Sequence, residues 1–193
     1  MNVCAISEAV GIIAPNPHVI IVALQTLKVG ADSSLASLAA EVRKQLGEAW
    51  LPHVYREQIL TKRTRAYHLE IPTKQGNVEV QYTLLGVELK LGRRRVMCPD
   101  LATARYLSVF ARTGNTDFAV PYDISQLSRF ADELEFAWHR MLLLIDHLAA
   151  TRSASFRTRL RRTLTATARE EIAEAGAGAD RPHFNQNTKQ RSA

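Results

Sequence analysis

The sequence predicts a mixed α/β domain: an antiparallel β-meander, then a strand-helix-strand unit, with flanking helices and a long helix toward the C-terminal end. Three observations carry that reading. Between residues 66 and 98 apolar side chains recur at every second position, punctuated by turn residues. On either side of this stretch they recur at helical spacing. From about Gln126 to Ala150 the helical spacing runs unbroken.

The first fifteen residues are apolar without a clear period. A helix is then expected from Pro17 to Gly30, capped by Asn16, with Pro17 in the first turn and Gly30 just past the end. Val19, Ile20, Ala23, Leu24 and Leu27 share one face. A second helix starts at Asp32-Ser33-Ser34 and stops at Gly47, with Leu35, Leu38, Val42 and Leu46 in phase. Trp50 and Pro52 end one element, and Val54 to Leu60 suits a short helix presenting Tyr55 and Ile59 together.

The period then changes to two. Ala66 to Ile71 reads as a strand stopped by Pro72, and Lys74-Gln75-Gly76-Asn77 supplies a turn. Val78 to Leu91 is rich in strand formers and is interrupted at Gly86, giving two strands or one bent strand. Gly92-Arg93-Arg94 turns the chain into Arg95-Val96-Met97-Cys98. Asp100 caps the next helix, which Gly114 closes. Thr116 to Pro121 is a short strand, and Ser125 caps the long helix, whose apolar row is Leu127, Phe130, Leu134, Ala137, Met141, Leu144, Ile145 and Leu148. A mixed sheet with helices on its faces is the expected architecture.

Residues 1–150 hold 16 of the 25 Lys and Arg and 15 of the 19 Asp and Glu, so the net charge of +6 resides mainly in residues 151–193. These are read as a basic, partly disordered tail, within which Arg157 to Glu174 permits a helix and residues 176–193 are expected to be disordered. Such a tail holds an anionic polymer or a membrane surface by charge, or simply keeps the chain in solution. No stretch is apolar enough to span a bilayer, and the start Met1-Asn2-Val3-Cys4 has no positive region of a signal peptide. Cys4 and Cys98, the only cysteines, have no metal-ligand spacing. A cytoplasmic location is expected.

Glu88 and Lys90 alternate with Val87, Leu89 and Leu91, so period two sets carboxylate and ammonium side by side on one strand face. A divalent metal binds such a carboxylate, and the ammonium stabilises a developing anion. Glu79 and Glu70, on the preceding strands, are further candidate metal ligands. An ion-paired solvated strand face gives the same alternation. The basic run Arg93, Arg94, Arg95 is placed to grip phosphates beside Glu88, or to protect a sheet edge. Arg157, Arg159, Arg161 and Arg162 are the tail's candidates for contact with DNA or RNA. His68 with Glu70 forms a conceivable acid-base couple or a surface pair. Cys98, near a helix start, is read as a buried thiol, and Asp123 as turn chemistry. Neither a GxSxG elbow nor a glycine-rich phosphate loop occurs.

Glu88-Leu89-Lys90 on a meander strand, the helix Asp100–Arg112 and the strand Thr116–Pro121 together resemble the core of the PD-(D/E)xK nuclease superfamily, in particular its Holliday-junction-resolvase-like members. The resemblance covers residues 66–121. It implies Mg²⁺-dependent phosphodiester cleavage, with Glu88 as a metal ligand and Lys90 as the transition-state stabiliser. Glu79 or Glu70 stands where the family usually carries an Asp. The alternative is a non-catalytic interaction or assembly protein that uses the long helix to dock a partner or to form a homodimer.

Overall fold

Residues 34–72 and 77–178 are described here, in a computed structural model. The expected helix at 17–30, the turn residues 74–76 and the tail beyond residue 178 lie outside them. Ser34 caps helix α1 (Leu35–Leu46), its hydroxyl accepting from Ser37 N at 3.2 Å, and Gly47 ends it at φ +49°. Helix α2 begins at Leu51–Val54 and continues as a π turn, Tyr55–Leu60. Pro52 therefore opens an element instead of ending one, at a position where the missing N–H is not needed.

The strands are β1 (Thr64–His68), β2 (Val78–Thr83), β3 (Gly86–Leu91), β4 (Arg94–Cys98) and β5 (Asp117–Pro121). Helix α3 is Leu101–Thr113, α4 is Leu127–Leu148 and α5 is Ala154–Ala175. Asp100 caps α3 by accepting from Thr103 N at 2.7 Å. At the start of α4, Asp123 forms the expected turn, accepting from Ser125 N and Oγ and from Gln126 Nε2, but Ser125 does not cap the helix. A 3₁₀ turn, Ile124–Gln126, leads from there into the helix.

The mixed α and β composition is as predicted, but the strands form two antiparallel sheets and no single mixed one. β2, β3 and β4 make a meander, with Val80 opposite Leu89 and Leu89 opposite Val96. Gly86 separates two strands, and Leu84-Leu85 form the tip between them. β1, expected in that meander, pairs instead with β5, Ala66 opposite Ala119. The far edge of β5 is closed by side chains. Ala119 N donates to Tyr55 Oη at 2.8 Å, and Ala119 O accepts from Tyr106 Oη at 2.6 Å. Two phenols thus satisfy the edge that a further strand would need.

These tyrosines belong to the core. Phe110 stacks on Phe118 with centroids 4.0 Å apart, Tyr55 meets Phe110 edge-on and Tyr106 packs against both phenylalanines. All four rings are fully buried. Burial pushes the Tyr55 phenol up from its ordinary 10.0 to about 12, while the bond from Ala119 acts the other way.

The reading of a tail from residue 151 onward needs correction over residues 151–178. Ser153 caps α5, accepting from Phe156 N, and Leu160, Leu164, Ala168 and Ile172 are buried at four-residue steps. That row packs α5 against α1, α2 and α4. Glu171 takes Trp50 Nε1 at 2.7 Å and pairs with Arg43, tying α5 to α1 and its exit turn. Tyr55 Oη donates to Gly176 O at 2.7 Å. Gly178 then passes so close to β1 and β5 that a Cβ would lie 2.7 Å from Thr64 Oγ1 and 2.9 Å from Ala119 Cβ. Composition suggested an appendage because arginine and threonine dominate; four apolar residues in register suffice to bury one face. Among the described residues, no helix is long and apolar enough to cross a membrane.

Candidate functional site

Two surfaces merit attention: the outer face of the meander and the outward face of α4. Pairing fixes the first. Glu79, Lys90 and Arg95 sit opposite one another across β2, β3 and β4, and Gln81, Glu88 and Met97 form the neighbouring row. All six side chains share one side of the sheet, because strand partners project together. Val80, Leu89 and Val96 take the other side and join the core.

The expected pair of Glu88 and Lys90 is therefore brought onto one face, but each engages another partner. Lys90 Nζ lies 3.3 Å from Glu79 Oε2, which also accepts from Gln81 Nε2 at 3.0 Å. Glu88 lies 3.5 Å from Arg95 Nη1. Its side chain is only 10% exposed, flanked by Gln81 and Met97 on the adjoining strands. A carboxylate so placed needs its cation, since an unpaired buried charge is costly. Glu70 does not join them: it pairs with Arg94, which projects from the opposite side of β4 to Arg95. Among the described residues, no three His, Cys, Asp or Glu side chains are grouped to hold a metal. Glu79 and Glu88 are each paired with a cation of the neighbouring strand.

The basic candidates are also dispersed. Arg94 and Arg95 are engaged by Glu70 and Glu88, and Arg93 stands exposed on the β3–β4 turn. On α5, Arg161 Nη2 donates to both carboxylate oxygens of Asp146 of α4, at 2.6 and 2.7 Å. Arg159 lies over the Phe156 ring, Arg157 is half-buried and Arg162 is exposed. Spacing along α5 turns Arg159 and Arg162 outward and Arg157 toward the buried row. His68 bonds Asp117 across the β1–β5 pair at 2.8 Å, not Glu70, and that bond, with Thr116, lowers the Asp117 carboxyl. Cys98 is buried and its thiol is pushed up by that burial, which makes it a poor nucleophile.

The second surface lies on the long helix expected to dock a partner, but its residues were not singled out from sequence. On α4, Asp132, Phe136, Leu143 and His147, with His139 and Arg140 side by side between them, share the helix side away from the core. Phe136 is 62% exposed and Leu143 is 70% exposed. Their signal was available: two large apolar residues seven apart, out of phase with the buried row. Beside them, between α4 and the α1–α2 turn, lies a groove of about 510 Å³ whose lining includes Leu46, Val54, Glu48, Glu133, Phe136 and Arg140. Glu133 Oε1 holds Arg129 at 2.9 Å, whereas Glu133 Oε2 is buried without a hydrogen-bond partner. A further apolar group, Tyr82, Leu84, Leu85 and Met97, is exposed at the tip of the β2–β3 hairpin.

The outer meander face thus offers internally neutralised ion pairs, and α4 offers an apolar row flanked by charge and an open groove. Compared with known proteins, the chain matches no family model, no curated protein and no solved structure.

Proposed function

We propose that this protein is a non-catalytic assembly module of the cytoplasm that docks a partner on the outward face of α4. One observation carries the reading: Phe136 and Leu143 lie out of phase with the buried row of α4, exposed on one face beside an open groove. Single exposed apolar residues are ordinary; two sharing one helix face rimmed by charge support a docking surface. Helix-on-helix docking uses anchors at this spacing. The test is a photoreactive phenylalanine analogue in place of Leu143, irradiated in the producing cells. Adducts at Leu143 but not at exposed Thr151 are expected; equal or no adducts at both would end the reading.

A second reading has its own observation, the shared face of Glu79, Glu88 and Lys90. Here the chain acts on DNA or RNA. Arg93, Arg159 and Arg162 would contact phosphates, and Glu79 and Glu88 would hold Mg²⁺, which would supply Lewis-acid chemistry at the phosphodiester. Plasmid and branched-DNA cleavage with Mg²⁺ or Mn²⁺ decides it. Activity lost in Glu88→Ala and Lys90→Ala supports a nuclease, whereas no cleavage, or equal cleavage by the variants, removes it. The assembly reading is preferred because Phe136 and Leu143 are exposed together beside an open groove.

A further inference from the structure

We infer that the partner on α4 is a second copy of this chain, packed antiparallel about a two-fold axis near residues 139 and 140. The inference rests on the docking reading and adds the partner's identity and register.

The outward row of α4 complements itself when reversed. Setting Phe136 over the other copy's Leu143 places Asp132 opposite His147, and His139 opposite Arg140, each contact occurring twice. Apolar meets apolar at two positions. An acid meets an imidazole at both ends, and at the centre an imidazole nitrogen faces a guanidinium donor. A parallel arrangement sets Asp132 on Asp132 and Arg140 on Arg140, which charge repulsion disfavours. The row from Asp132 to His147 is about 22 Å long at an α-helical rise of roughly 1.5 Å per residue, long enough for a helix-helix seam. Asp132 has a second cation in its own chain, Arg105 at 2.7 Å, which holds the carboxylate in place. Asp146, beside His147, is occupied by Arg161 and so does not compete for it.

The alternatives on the surface carry less. The hairpin tip at Leu84 and Leu85 is more exposed, but nothing beside it selects a partner.

The test uses the full chain. Light scattering across a dilution series is expected to give twice the chain mass at high concentration, and the chain mass throughout for Phe136→Asp/Leu143→Asp. His147→Glu, which sets two acids together, is expected to raise the dissociation constant about tenfold. Adding Asp132→Lys to it is expected to restore association. These positions are exposed, and unchanged circular dichroism separates lost association from lost folding. For register, Phe136→Cys/Leu143→Cys oxidised under mild conditions is expected to join residue 136 to residue 143 of the other copy, assigned by mass spectrometry. A bond between two copies of residue 136 would instead indicate parallel packing and overturn the inference. A chain that stays monomeric while Leu143 forms adducts with a different protein also overturns it, and leaves the docking reading standing. Absence of both dimer and adducts removes both.

Discussion

Helices α4 and α5 are each 22 residues long, yet they make opposite use of their composition. α5 is arginine-rich and looks like a solvated appendage, but its four apolar residues are buried and its Glu171 and Arg161 bind other elements. α4 has a broad buried row and keeps Phe136 and Leu143 beyond it. The comparison teaches that phase, not content, decides a helix's role. A sparse apolar row in register anchors a polar helix, and apolar residues out of register leave an anchored helix with a free surface.

The comparison breaks most severely if α5 proves dispensable. Truncation after Ala150 removes the cover of α1, α2 and α4, and the shortened chain is expected to lose its cooperative thermal transition in circular dichroism. A soluble, cooperatively folded fragment would restore the tail reading. Within α5, Leu164→Ala is expected to cost about 2–5 kcal/mol in urea denaturation, in the range for buried leucines. On α4, Leu143→Ala is expected to change stability by less than about 0.5 kcal/mol, measured on monomer.

Smaller effects sharpen the account of how α5 is held. Glu171→Ala leaves Trp50 Nε1 without its acceptor and is expected to cost about 1–3 kcal/mol. Tyr55→Phe leaves Ala119 N and Gly176 O without the hydroxyl and is expected to cost about 1–2 kcal/mol at neutral pH. Because the Tyr55 phenol is raised to about 12, the fold binds that proton more tightly than the unfolded chain does. Its contribution is complete below pH about 10 and drains away as the pH rises toward about 12. Denaturation at pH 8 and pH 11 is therefore expected to show the gap between wild type and Tyr55→Phe narrowing at the higher pH. A constant gap would contradict the burial of that hydroxyl.

Much of the fold was legible in local signals. Asp100 and Gly114 bound α3, Gly86 separates β2 from β3, and Tyr55 and Ile59 point together into the core, all readable from capping, turn chemistry and phase. The partner of β1 was not legible. Its strand pattern says nothing of which edge is open, and two tyrosines distant in sequence close the far edge of β5. The candidate site was legible in part. Period two placed Glu88 and Lys90 on one face, but it cannot show that Arg95 and Glu79, set by cross-strand register, engage them. Glu70 failed as a neighbour because it pairs with Arg94, on the side of β4 opposite to Arg95. Arg157 to Arg162 form a block in sequence, and helical geometry spreads them around α5.

The central claim is that a partner covers Phe136 and Leu143. Hydroxyl-radical footprinting in the producing cells tests it directly, with the exposed Leu84 as the internal reference. The account requires Phe136 and Leu143 to be oxidised much more slowly, relative to Leu84, than in diluted pure protein. Unchanged relative rates in cells and in dilute solution would contradict it.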